Sequence, residues 1–133
     1  MEEWKKPSKE EAKSFFSLTV IPAFEELKTK LERRGKEVKI EDEKEDSALI
    51  TVLSGGEEWL YYTIITRIYP PTDDFPSGHV CPYVEWKARH KRHSGRYGNK
   101  RYFWKEKCNY NVSSVSKEKI IEHFFETFRI QLQ

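Results

Sequence analysis

The chain has no long hydrophobic run, little cysteine and little glycine, and each shortage excludes a class of protein. No stretch approaches the roughly 20 consecutive apolar residues of a membrane-spanning helix. The longest apolar patch, residues 59–65, is interrupted by Thr63 and is only strand-length. The opening residues, MEEWKKPSKEEAK, are polar apart from Trp4 and Ala12, unlike the continuous apolar core of a secretory signal. A cytoplasmic location is therefore expected. Two cysteines, Cys81 and Cys108, are too few for a disulfide scaffold. The six glycines form no phosphate-binding loop, and there is no nucleophile elbow. Repeats, linkers and low-complexity segments are also missing.

What is present is charge and aromatic bulk. Of 133 residues, 35% are charged, 37% apolar and 14% aromatic. That length fits a single domain, 1–133, and the aromatic share implies that large rings fill much of the core. The net charge is only +2, but residues 87–107, KARHKRHSGRYGNKRYFWKEK, hold nine Lys or Arg against Glu106 alone. That stretch carries +8, which leaves −6 for the remainder. Such asymmetry bears on partners more than on fold.

The spacing of apolar residues supplies the elements. Ser8 followed by Glu11 is a capping box. Ala12, Phe15, Phe16, Thr19, Ala23, Leu27 and Leu31 then recur at helical steps. Pro22 lacks an N–H, which predicts a kink near Leu18 or a break that opens a second segment. Gly35 suits the left-handed position past the helix end. The period then falls to two, through Val38 and Ile40. An acidic turn, 43–46, leads to a second strand at 48–53, and Gly55-Gly56 reads as a tight hairpin turn. The third strand, 58–69, is the most apolar. Leu60, Tyr62, Ile64 and Ile68 share one face, and Trp59, Tyr61, Thr63, Ile65, Arg67 and Tyr69 the other. Alternation does not say which set meets the helices. Strands over roughly 80–90 and 100–112 flank a Gly-rich basic tip, and Ser116 caps a last helix striped with Ile120, Ile121, Phe124, Phe125, Phe128 and Leu132.

These elements imply an α+β domain: one antiparallel sheet of about five strands, with N- and C-terminal helices packed on one face. The order α-β-β-β-β-β-α resembles the layout of frataxin-like folds, and roughly that of double-stranded-RNA-binding domains if strands are merged. No motif of either family occurs, so the likeness is one of architecture.

Four groups of residues are candidates for function. On the basic hairpin, alternation turns Lys87, Arg89, Arg101, Phe103, Lys105 and Lys107 outward, with Trp86 and Trp104 inward, and Lys91 and Arg92 extend the basic area offered to a ligand. Like charges facing across strands repel, and a polyanion or acidic protein would relieve them. The alternative is a solvated hairpin whose charges are met by Glu85 or the acidic turn. A second group, Trp59, Tyr61, Ile65 and Tyr69, forms an interface if the helices cover the opposite face of the third strand. Third, Asp73, Asp74 and His79 share the 70–79 loop, where acid–base chemistry would need a cleft; a Pro-rich surface turn explains them equally. Fourth, His90, His93, Cys81 and Cys108 include metal-ligand types but not the spacing of a zinc site. His123 lies off the apolar stripe and reads as exposed. The expectation is a non-enzymatic binding module without metal or cofactor. Its partner would be an acidic protein or a second copy, with nucleic acid as an alternative ligand and a small enzyme at the 70–79 loop as a further alternative.

Overall fold

The computed structural model describes residues 7–44, 46–80, 84–91, 97–104 and 115–132, and for 43, 44 and 97–104 it describes the backbone alone. Ser8 caps α1 (Lys9–Phe15), its Oγ accepting from the Glu11 N–H at 3.1 Å. The helix runs on through a π-helical turn, Phe16–Val20, into α2 (Ile21–Glu32). Pro22 explains the change of pitch. It cannot donate to the Leu18 carbonyl four residues back, and the ladder widens so that the Ile21 N–H reaches the Phe16 carbonyl five back. The chain thus absorbs the proline without a break. At the far end Gly35 takes a φ of 81°, and the Lys36 and Gly35 N–H groups close the helix onto Leu31 and Glu32.

The strands follow as β1 (Glu37–Lys44), β2 (Ser47–Ser54), β3 (Glu57–Ile65), β4 (Ile68–Tyr69), β5 (His79–Val80), β6 (Val84–Lys91) and β7 (Tyr97–Trp104). Five of them form one antiparallel sheet in the order β1-β2-β3-β6-β7, while β4 and β5 pair separately. The α+β class is as expected, but the layout differs, with seven strands in two sheets. The third strand stops at Ile65 rather than at 69. There the Thr66 N–H turns aside to the Asp46 carbonyl at 2.8 Å, and the chain re-enters extended structure only as β4. β5 is tied to the start of α1 by the Val80 N–H on the Pro7 carbonyl at 2.8 Å. Gly78 fits this crossing because a Cβ there would lie 2.7 Å from the Tyr69 carbonyl oxygen.

α3 (Lys117–Thr127) is capped by Ser116, as its sequence predicts. Together α1, the π turn, α2 and α3 cover one sheet face. Leu60, Tyr62 and Ile64 of β3 are fully buried against Phe24, Leu27, Leu31, Ile120, Phe124 and Phe128. Tyr62 is central: its ring meets Phe24, Phe124 and Phe128 edge-on and stacks on Trp86 at 6.0 Å. Burying each such side chain is worth about 1.5–3 kcal/mol, so this set fixes which way β3 faces. Val84, Trp86 and Ala88 of β6 join the same core.

Candidate binding face of the sheet

The residues left for the second face are read from the register. One row crosses the sheet as Glu41, Leu49, Thr63, Lys87 and Arg101. The next row holds Lys39, Thr51, Tyr61, Arg89 and Asn99, and on the other side lie Ser47, Ile65, Glu85 and Phe103. This face is not bare. Leu49, Thr63 and Glu85 are buried, at 7%, 4% and 3% exposure, and Tyr61, Ile65, Lys87 and Arg89 are half-buried around them. Among the described residues Thr63 Oγ1 has no hydrogen-bond partner, and the Glu85 carboxylate lies 3.7 Å from the Arg67 guanidinium.

The basic residues of β6 fall into two kinds. Arg89 is held as a fork on Glu58, Nε to Oε2 at 3.2 Å and Nη2 to Oε1 at 2.8 Å, with its guanidinium 4.3 Å from the Tyr61 ring centre. Lys91 pairs with Glu57 and holds that carboxyl below its ordinary range by donating to it. The alternative of a solvated hairpin would meet these charges with Glu85 or the acidic turn; the carboxylates paired with Arg89 and Lys91 lie at the start of β3. A hairpin brings Glu57 and Glu58 back beside the end of β6, an adjacency that only the register reveals. Lys87 differs. Among the described residues it has no carboxylate within ion-pair reach, and β7 places Arg101 opposite it. Phe103 stands opposite Glu85. Arg92, Lys105 and Lys107 lie outside the described residues.

Two aromatic positions need correction. Trp59 sits where the β2–β3 register shifts, and it packs against the helix-covered core with Lys36 Nζ 4.6 Å from its ring. The bulge breaks the alternation that would have put it beside Tyr61. Tyr69 belongs to β4, not to β3, and stacks on His79 at 4.9 Å. Only Tyr61 and Ile65 of the expected aromatic group share the second sheet face.

In the 70–79 loop the two acids and the histidine differ in exposure. Asp73 and Asp74 are exposed, and buried His79 is flanked by the rings of Tyr69 and Phe75, the latter at 4.6 Å. Backbone hydrogen bonds between Thr72 and Phe75 close the turn from both sides. No group of three or more His, Cys, Asp or Glu capable of holding a metal occurs among the described residues. His93, Cys81 and Cys108 lie outside them. No helix among them is long and apolar enough to cross a membrane.

His123 was missed by sequence reasoning. It is half-buried, hydrogen-bonded through Nδ1 to the Tyr62 hydroxyl at 2.6 Å, and its ring meets Trp86 edge-on at 4.3 Å. Burial, aided by nearby Lys119, lowers its pKa to about 4, so the ring is neutral at pH 7. Burial raises Tyr62 well above a tyrosine's usual value. The pair is a polar tie inside the core, between α3 and β3. No family model, curated protein or solved structure matches the chain.

Proposed function

We infer that the chain is a non-enzymatic binding module whose second sheet face takes an acidic protein surface. The helices pack on one side of the five-stranded sheet, and the cations of β6 lie on the other. The observation carrying this reading is the register position of Arg101 on the edge strand β7, opposite Lys87 of β6. Two cations facing across neighbouring strands cost stability, and an incoming carboxylate relieves that cost. Tyr61 and Ile65 add apolar area beside the charges, the mixture found where one protein anchors another. Nucleic acid is the weaker reading. Arg89 and Lys91 are neutralised by Glu58 and Glu57, and a stacking platform would need more rings than this face presents among the described residues.

Fluorescence anisotropy with a labelled decaglutamate peptide and with single-stranded RNA, each at low and high salt, tests the proposal. The peptide is expected to bind at low salt and to lose affinity in Lys87→Glu and Arg101→Glu. RNA binding tighter than peptide binding would replace the proposal with the nucleic-acid reading.

A further inference from the structure

We propose that the acidic surface taken up by this face is the same face of a second copy of the chain, related by a two-fold axis running along β3. This deepens the binding reading above and rests on it. One row of the register holds Glu41, Leu49, Thr63, Lys87 and Arg101. It spans all five strands, and β3 is the middle one. At about 4.8 Å per strand, Glu41 and the Arg101 position are roughly 19 Å apart within one copy, too far to pair. The charges at the two ends of the row therefore have no route to each other in a single chain.

A second copy supplies that route. Stacked sheets pack about 10 Å apart, face to face. A two-fold axis parallel to the strands and passing over β3 exchanges the ends of every row, setting β1 over β7 and β2 over β6. Glu41 of each copy then faces the Arg101 position of the other, and the contact occurs twice, as an isologous interface requires. Lys39, the cation between Glu37 and Glu41, falls over uncharged Asn99. Half-buried Tyr61 and Ile65 lie along the axis against their own counterparts, on either side of buried Thr63. An axis running across the strands would stack β1 on β1 and β7 on β7 and oppose like charges. Charge thus selects one arrangement of the two.

The acidic end is available for this role. Glu37, Glu41 and Asp42 are exposed, and among the described residues neither they nor Asp46 make an ion pair. Glu37 and Glu41 are held in register by β1–β2 pairing, and the Thr66 N–H on the Asp46 carbonyl fixes the backbone at Asp46. Residues 41–46 contain five acids and only Lys44. The five strands, of eight or nine residues each, span a face on the order of 600 Å² per copy, and with Leu49, Thr63 and Glu85 already buried the area gained on contact is small for a specific interface. Association should therefore be reversible and sensitive to concentration and salt.

Sedimentation velocity on the full chain, across protein concentration at low and high salt, is the test. The expected result is a shift from monomer toward dimer with concentration at low salt, reversed by high salt. Glu41→Lys alone and Arg101→Glu alone should each weaken association about tenfold, since both symmetric contacts then oppose like charges. An equimolar mixture of the two variants should recover wild-type association, because every contact again pairs opposite charges. The double variant within one chain should recover it too, which guards against a folding defect in either single variant. A wild-type chain that stays monomeric at low salt overturns the proposal, as does a mixture that associates no better than its components. If the monomeric protein still binds decaglutamate, self-association fails while the binding-module reading stands; if it binds neither, both fail.

Discussion

Tyr61 and Tyr62 are neighbours in sequence and opposites in role. Tyr62 is fully buried under three phenylalanines and tied to His123. Tyr61 is half-buried beneath Arg89, on a face where cations, acids and apolar groups mix. The first face is satisfied from within: rings meet rings, and its buried hydroxyl has a partner. The second leaves Lys87 without an ion pair and Thr63 Oγ1 without a hydrogen bond among the described residues. The contrast separates a face packed for folding from the face proposed above for binding.

Substitution at the two tyrosines should break the comparison most sharply. Tyr62→Ala removes a ring from the middle of the core and should cost about 3–5 kcal/mol. Tyr61→Ala should cost under about 1 kcal/mol, as expected for a partly exposed position. Urea denaturation of both variants checks the difference, and equal losses would mean that the second face is a core as well.

Acid should weaken the first face next. Above pH 6.5 the imidazole of His123 is neutral whether folded or unfolded. As the pH falls from 6.5 toward 4, the unfolded chain takes up a proton that the folded one refuses, because the folded pKa is about 4. Stability should fall across that window by about 2 kcal/mol, a value reduced for water screening at a half-buried ring. Denaturation midpoints at a series of pH values measure this, and in His123→Gln the slope between pH 6.5 and 4 should flatten. At the alkaline end, the raised Tyr62 pKa means that stability is lost once the pH passes about 10, where an unfolded tyrosine ionises.

The smallest effects lie within the second face and sharpen its division. Arg89 and Glu58 should show a coupling of about 0.5–1 kcal/mol in a double-mutant cycle, since the fork is well formed but partly exposed. Lys87→Ala should leave stability within about 0.5 kcal/mol of wild type and yet weaken decaglutamate binding. A stability loss at Lys87 as large as that at Arg89 would erase the distinction between paired and unpaired cations.

Much of this arrangement was legible from the chain and some of it was not. Caps at Ser8 and Ser116, the turn at Gly55-Gly56 and the helix end at Gly35 are local, each set by a few adjacent residues, and they fall where their chemistry puts them. The class followed from the same periodicities. The layout did not, because the end of β3 depends on a backbone bond between Thr66 and Asp46, twenty residues apart in sequence. Trp59 was misplaced because a one-residue bulge reverses alternation, and no residue type announces a bulge there. His123 looked exposed because a helical stripe counts apolar residues and cannot see a buried tyrosine hydroxyl waiting across the sheet. The partners of Arg89 and Lys91 were out of reach for a related reason: pairing across strands depends on register, and register is a property of the assembled sheet.

On the proposal above, one face of the sheet serves folding and the other binds an acidic protein surface. Backbone-amide NMR on the full chain, titrated with decaglutamate at low salt, tests it most directly. The claim predicts shift changes at Tyr61, Thr63, Ile65, Lys87 and Arg89, fading at high salt, while α1, α2 and α3 stay unperturbed. Changes centred on the 70–79 loop or on the helices, or none at all at low salt, would contradict it.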